Sequence, residues 1–251
     1  MKRIISFCLW GDRPKYAFGA LQNAELAKSI YPGWITRYYV GSSIPLAVSG
    51  QLQDAGAEVV NMNEPGDWRS SFWRFHPAGE ADVEVILSRD TDSRLSLREK
   101  AAVDAWLATG KAFHIMRDHP WHNFEILAGM WGARRELLAE IYALAEQYSK
   151  GDYYQVDQDF LRERIYPLVK GNCVVHDEFF ECEPFPTPRI NYEFVGDVFD
   201  EHDVRHPDYW RILASFESNR SLSLSPSWSS MNRPISSRCQ ALLSKISVKY
   251  R

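Results

Sequence analysis

The chain has 251 residues, 45% of them hydrophobic and 25% charged, with a formal net charge of -4. A chain of this size buries a core without disulfide or metal staples. Its charge balance gives no general attraction to nucleic acid or to an anionic membrane, so neither is an expected partner of the fold as a whole. No window reaches the length of a transmembrane helix. The four cysteines lack CxxC pairing and read as reduced thiols. The apolar stretch after Lys2 and Arg3 runs straight into "GDRPK" instead of a signal-peptide cleavage region, so the expected location is the cytoplasm.

In chain order, "IISFCLW" at 4–10 is a continuous apolar run, the mark of a strand covered on both faces. Helical spacing of Ala17, Leu21, Ala24 and Ala27 predicts a helix over 16–30, stopped by "YPG". "ITRYYVG" reads as a second strand, "PLAVSGQLQDAG" as a helix and "AEVVNM" as a third strand. This β-α-β-α-β alternation implies a parallel sheet covered by helices. "DWRSSFWRF" reads as a short helix, and "VEVIL" as a strand that ends at "SRDTDSR". Ser96 and Glu99 form a capping box for a helix reaching "TG" at 109–110, with Val103, Trp106 and Leu107 inward. "KAFHIMR" is the next strand. "HPWHNFEILAGMWG" has no period and reads as a functional loop. A patterned helix covers 134–149, a turn and helix ended by Pro167 follow, and "NCVVHD" is a late strand. Beyond Pro184 the pattern fades. The expected division is a domain at 1–215 and a Ser/Pro-rich extension at 216–251. The last residues, "RCQALLSKISVKYR", are patterned as a short basic amphipathic helix that could touch a membrane surface. The expected fold class is α/β: one mostly parallel, Rossmann-like central sheet with helices on both faces.

Five clusters carry candidate chemistry. Asp90 and Asp92 stand where an open α/β sheet binds ligands, beyond the carboxyl end of a strand. A D-x-D turn can aim both carboxylates at one Mg²⁺ or Mn²⁺ ion that bridges to phosphate oxygens. Arg89 and Arg94 can neutralise phosphate or brace the carboxylates. An Asx-turn with surface ion pairs accounts for the same residues. His114, Asp118, His119 and His122 crowd the segment 113–124 without any zinc-hydrolase spacing. That suits a polar sugar or acceptor loop with Trp121 as a stacking plane. Gly129 and Gly132 let backbone approach something closely, or make a turn before the next helix. Asp157 in "QVDQDFL" N-caps a helix or faces substrate together with Gln158. His176 ends the late strand, as a satisfied strand-end histidine or as a third metal ligand.

The order "RDTDSR", "LAGMWG", "VDQDFL", "VVHD" resembles GT-A-fold glycosyltransferases of the retaining galactosyltransferase and glycogenin type, over roughly residues 3–200. With "FWRF" and "HIMRDHPWH" it is also similar to a bacterial and viral group of glycosyltransferases that share the RDTDSR motif. The resemblance implies transfer of a sugar from a nucleotide sugar, with UDP as its nucleotide, to an acceptor hydroxyl. Asp90 and Asp92 would hold Mn²⁺ or Mg²⁺ and His176 would be the late ligand, with His202 and His206 as fallbacks. Asp157 and Gln158 would lie near the anomeric carbon, and Gly129 and Met130 would line the sugar. Arg13, Lys15, Arg89 and Arg94 could add positive charge at the diphosphate, and Trp10 or Tyr16 could stack on the base. Retention is the expected outcome. An inverting enzyme would use Asp118 or His119 as base. Two other functions compete: a haloacid-dehalogenase-type Mg²⁺ phosphohydrolase, whose aspartate normally follows the first strand, and a non-catalytic nucleotide-sugar binder.

Overall fold

A computed structural model describes residues 1–149, 151–180 and 183–221. Seven strands form one sheet in the order β3-β2-β1-β4-β6-β5-β7. They are β1 (Lys2–Leu9), β2 (Ile35–Val40), β3 (Glu58–Asn61), β4 (Val83–Arg89), β5 (Phe113–Arg117), β6 (Met130–Arg134) and β7 (Cys173–Asp177). All neighbouring pairs are parallel except β6, which runs antiparallel to both β4 and β5. The expected α/β class with a mostly parallel sheet is therefore present.

Alternation along the strands sends side chains to two layers. On one face Ile5, Val85 and Leu87 pack with Ala20, Ala24 and Ala27 of α1 (Pro14–Ile30), Leu52 of α2 (Leu46–Asp54) and Val103 and Trp106 of α3 (Leu97–Thr109). On the other, Ile4, Ile86 and Phe113 pack with Phe75 and Ala78 of a 3₁₀ segment (Trp68–Gly79), Leu138 and Ile141 of α4 (Arg135–Glu146) and Phe160 of α5 (Val156–Phe160). Trp131 on β6 is fully buried, its ring stacked between Phe75 and Phe113 at 5.4 and 5.5 Å. Truncating such an aromatic costs about 3–5 kcal/mol.

Four expectations change. "GMWG" starts a strand and is not a loop. Its two glycines are needed because β6 is crowded from outside: a Cβ on Gly132 would meet Leu87 Cδ2 at 2.7 Å and the Trp106 ring at 2.9 Å. Half of the capping box forms. Ser96 Oγ accepts from Glu99 N, but the Glu99 carboxylate turns inward to Arg89 and Tyr31. Pro167 does not end its helix, because a π-helical turn (Leu161–Ile165) widens the path. The proline then sits in the first turn of α6 (Tyr166–Val169), where its missing N–H is not required. Finally, α7 (Pro207–Ser221) continues past the expected 215/216 boundary, and Phe216 is buried with Phe179, Phe194, Ile212 and Leu213. The basic tail at 238–251 lies outside the described residues. Among the described residues no helix is long and apolar enough to cross a membrane.

Candidate functional site

From β1 the chain steps to β2 and β3 on one side, whereas β4 lies on the other side of β1. The carboxyl ends of β1 and β4 thus form the crevice where strand order reverses, the place open α/β sheets bind ligands. A cleft of about 360 Å³ opens there. Its walls come from the loop after β1 (Trp10, Asp12, Arg13, Tyr16), the 3₁₀ segment (Trp68, Ser71, Arg74), the turn after β4 (Asp90, Thr91, Asp92) and the start of α5 (Asp157, Gln158).

The turn after β4 is held from below. Asn23 on α1 is buried. Its Nδ2 donates to Ser93 O at 2.9 Å and Thr91 O at 3.4 Å, and its Oδ1 accepts from Leu95 N at 3.0 Å. One helical turn earlier Gly19 lets α1 touch this turn: a Cβ there would lie 2.0 Å from Thr91 O. From the other side Gly129 abuts Asp90, where a Cβ would meet Oδ2 at 2.1 Å. Helix, turn and strand therefore meet with no room for side chains, and the two carboxylates are fixed as a pair.

Charge organises the floor. Arg74, buried, reaches Asp90 Oδ1 at 2.6 Å and Asp157 Oδ2 at 3.4 Å, and its Nε donates to Ser71 O. Lys15 Nζ lies 2.7 Å from Asp92 Oδ2. Burial pushes the Asp92 carboxyl above its ordinary range, the nearby Asp90 charge adds to this, and Lys15 opposes it. Asp157 is likewise raised by burial, with Arg74 opposing and Asp90 adding. Asp157 does not occupy the N-cap, which falls to Gln155; its Oδ1 instead accepts from Gln158 N at 3.0 Å. Gln158 is 7% exposed and lines the cleft, its amide nitrogen lacking a partner among the described residues. Trp10, Trp68 and Tyr154 make an aromatic wall, edge to face at 5.4 and 5.1 Å, with Trp68 and Tyr154 both exposed.

Of the residues expected at a site, Trp10, Arg13, Tyr16, Asp90, Asp92, Asp157 and Gln158 come together around this cleft, and Gly129 supports it from beneath Asp90. Lys15 joins them through Asp92; the rest lie elsewhere. Arg89 is fully buried and pairs with Glu99 at 2.7 Å, its NH1 donating to Ser88 O and Trp131 O. Arg94 pairs with Asp203 at 2.9 Å and packs on Phe199 at 4.7 Å. Both arginines brace the turn and neither reaches the cleft. Met130 packs into a core with Ala102, Met116, Phe185 and Val195.

Asp118 is buried inside a cage. Arg98 donates to both of its oxygens at 2.7 and 2.9 Å, Arg189 to Oδ1 and Val195 N to Oδ2 at 3.0 Å. His119 is buried with both ring nitrogens engaged. Nδ1 accepts from Trp121 N at 3.0 Å, so Nε2 carries the proton and donates to Tyr209 O at 3.0 Å. Burial holds it down to about 4. Neither group is available as a base.

His176 bonds the buried His114 at 2.7 Å on β7, three strands from β4 and so about 14 Å away at ordinary strand spacing. It cannot join Asp90 and Asp92 around one ion. His202 contributes its backbone N–H to Asp200, and the His206 ring meets Tyr209 edge-on. Among the described residues no group of three or more His, Cys, Asp or Glu forms a metal cage, so neither fallback completes one. An ion at the aspartate pair would take its remaining ligands from water and substrate.

Arg74, Asn23 and Gly19 were not read from sequence. A lone arginine inside the apolar "SSFWRF" run was the available sign for Arg74, because a charge among buried aromatics needs a partner.

No family model and no curated protein sequence matches the chain. Among solved structures it is similar to a glycosyltransferase involved in the glycosylation of the major capsid of PBCV-1, at 19% identity over 72% of this chain and 84% of that one, with a TM-score of 0.49. It is also similar to a cytidylyltransferase from Leptospira borgpetersenii serovar Hardjo-bovis, at 13% identity, 90% and 98% coverage and a TM-score of 0.47. A third is glucosyl-3-phosphoglycerate synthase from Mycobacterium tuberculosis, in complex with Mn²⁺, UDP-glucose and glycerol 3-phosphate, at 15% identity, 69% of each chain and a TM-score of 0.44.

Proposed function

We propose that the protein is a divalent-metal-dependent glycosyltransferase that moves a sugar from a nucleoside diphosphate sugar, UDP by resemblance, to an acceptor hydroxyl with retention. The observation that carries this reading is the meeting, at the strand-order reversal, of the Asp90 and Asp92 carboxylates with Asp157 and the unpartnered Gln158 amide in one aromatic-walled cleft.

The donor set fits a hard cation. Three carboxylates, Asp90, Asp92 and Asp157, face two paired cations, Arg74 and Lys15, leaving net negative charge beside the nearly half-exposed Asp90. Two carboxylates plus substrate phosphate oxygens is an ordinary way to hold Mg²⁺ or Mn²⁺. When bound, such an ion supplies Lewis-acid stabilisation of the departing diphosphate. Arg13, on the cleft wall, adds positive charge, and Trp10 or Tyr16 stacks on the base. Asp157 and Gln158 then lie under the sugar. The buried amide nitrogen donates to a sugar oxygen, and the Asp157 carboxylate stabilises positive charge developing at the anomeric carbon. Retention is supported because the two bases expected of an inverting enzyme, Asp118 and His119, are locked elsewhere. We further propose a cytoplasmic enzyme, a catalytic unit that takes in α7 and is followed by a C-terminal extension, and peripheral membrane contact through the basic pattern at 238–251.

A thermal-shift screen of nucleotide sugars with and without Mn²⁺ tests this, since a ligand that binds only the native state stabilises it by mass action. A nucleotide sugar that stabilises the chain only with metal supports the proposal. Release of phosphate from simple monoesters, with no nucleotide sugar stabilising the fold, would favour a phosphohydrolase instead.

A further inference from the structure

Each of the paired aspartates already has a cation on it, and the two cations are not alike. Arg74 is part of the wall: it is buried, bridges Asp90 to Asp157 and is tied to Ser71 O. Lys15 is different. It stands on the first turn of α1 between Arg13 and Tyr16, both of which line the cleft, and its ammonium lies 4.7 Å from the Tyr16 ring. Its side chain is 26% exposed, against 7% for Arg74. An ammonium on a four-carbon stem can swing away without moving backbone, which a forked guanidinium held at three points cannot.

A metal ion at this pair would compete for the Asp92 carboxylate, which the Lys15 ammonium already holds through Oδ2 at 2.7 Å. We propose that Lys15 is a displaceable counter-ion: it occupies Asp92 in the metal-free protein and, when the ion arrives, is released to the diphosphate of the incoming donor. This rests on the metal-dependent reading above. The consequence is a coupling between two ligands. Metal alone binds poorly because it must evict a charge-paired lysine. Metal together with a nucleoside diphosphate binds well because the evicted ammonium finds a new anion. Coupling of this kind is reciprocal, so the ion raises diphosphate affinity by the same factor. Lys15 is thus a positioning residue that keeps the site from filling with metal before donor is present.

The test is Mn²⁺ binding, read from the electron paramagnetic resonance signal of free Mn²⁺, for wild type, Lys15→Met, Lys15→Gln, Lys15→Arg and Asp92→Asn, each with and without UDP. Lys15→Met and Lys15→Gln should bind Mn²⁺ alone about tenfold more tightly than wild type, yet gain less from UDP. Lys15→Arg should stay close to wild type. Wild-type binding that Asp92→Asn abolishes, with no gain in either neutral variant, overturns the Lys15 proposal while leaving the metal reading intact. Mn²⁺ binding that survives Asp92→Asn, or that no variant shows even with UDP, overturns both. The neutral Gln variant guards against a Met variant that fails to fold.

Discussion

Gly19→Ala sets two effects of known sign against each other. In an exposed helix the change would stabilise by about 1 kcal/mol, because alanine gives up less backbone freedom than glycine. Here the added methyl would sit 2.0 Å from the Thr91 carbonyl oxygen and 2.7 Å from an Arg94 nitrogen. Relief requires more than an ångström of movement of backbone on one side, and overpacking of that kind costs about 1–3 kcal/mol. The Thr91 carbonyl has little freedom to yield, since Asn23 holds the same turn through Ser93 O and Leu95 N. The net expectation is destabilisation by up to about 2 kcal/mol, a fall in Tm of up to roughly 8 °C for a chain of this size. Thr91 lies between the two aspartates, so Mn²⁺-dependent nucleotide-sugar affinity should drop by at least about tenfold, roughly 1.4 kcal/mol. Urea unfolding with an unchanged slope reads the first number, and calorimetry at saturating Mn²⁺ the second. A Gly19→Ala protein more stable than wild type, with full donor affinity, would refute the claim that α1 presses on the aspartate turn.

Asn23→Ala strands a buried Leu95 N–H and two carbonyls, and should cost about 2–4 kcal/mol in urea unfolding; a loss under 0.5 kcal/mol, the scale of a neutral surface change, would show that the turn holds itself. Gln158→Ala removes an amide nitrogen that has no partner among the described residues. Stability should therefore change by less than about 1 kcal/mol while kcat falls more than donor affinity, and equal losses in both would assign the residue to structure. Asp118→Asn breaks a buried cage with Arg98 and Arg189 and should cost about 3 kcal/mol of stability; a stable variant with collapsed kcat would restore it as a catalytic base. The pH response follows from buried imidazoles. His119 and His176 are held down to about 4, so the unfolded chain binds more protons below about 6.5 and stability falls as pH drops through that window. Asp197, pushed up to about 6 by burial, works the other way below pH 6 and offsets part of the loss. Stability should therefore fall between pH 7 and pH 5, and an unfolding midpoint that is flat or rises on acidification contradicts it.

Most strands were legible because both faces are covered, so "IISFCLW" and "VEVIL" read as mainly apolar runs, the latter interrupted only by the partly exposed Glu84. The exception, β6, hid behind its glycines. The space that Trp106 and Leu87 take from Gly132, and Asp90 from Gly129, is a tertiary fact with no local signal. α7 was missed because its buried residues, Ile212, Leu213 and Phe216, are interrupted by Arg211, Ser215 and Glu217. Site residues at strand ends could be found because topology sends those ends to one crevice, which is why Asp90, Asp92 and the residues after β1 were identified together. Of the two roles the sequence left open for the arginines beside the motif, phosphate contact and bracing, the side chains take bracing: Arg89 alternates inward from the strand end and pairs with Glu99, and Arg94 turns under the motif to Asp203. In the histidine cluster, which looked like a substrate loop, His119 and His122 belong to a packed corner of aromatic rings around Phe194 and Tyr209, while His114 stacks on Trp106 and bonds His176. Polarity in the sequence did not reveal that these rings satisfy one another.

The most direct test of the central claim is calorimetric titration of the stabilising nucleotide sugar into wild type and an Asp90→Asn/Asp92→Asn variant, each with Mn²⁺ and with chelator. Binding by wild type only in the presence of Mn²⁺, and by the variant in neither condition, is the result this account predicts. Equal binding by both proteins, or wild-type affinity unchanged by chelator, would contradict it.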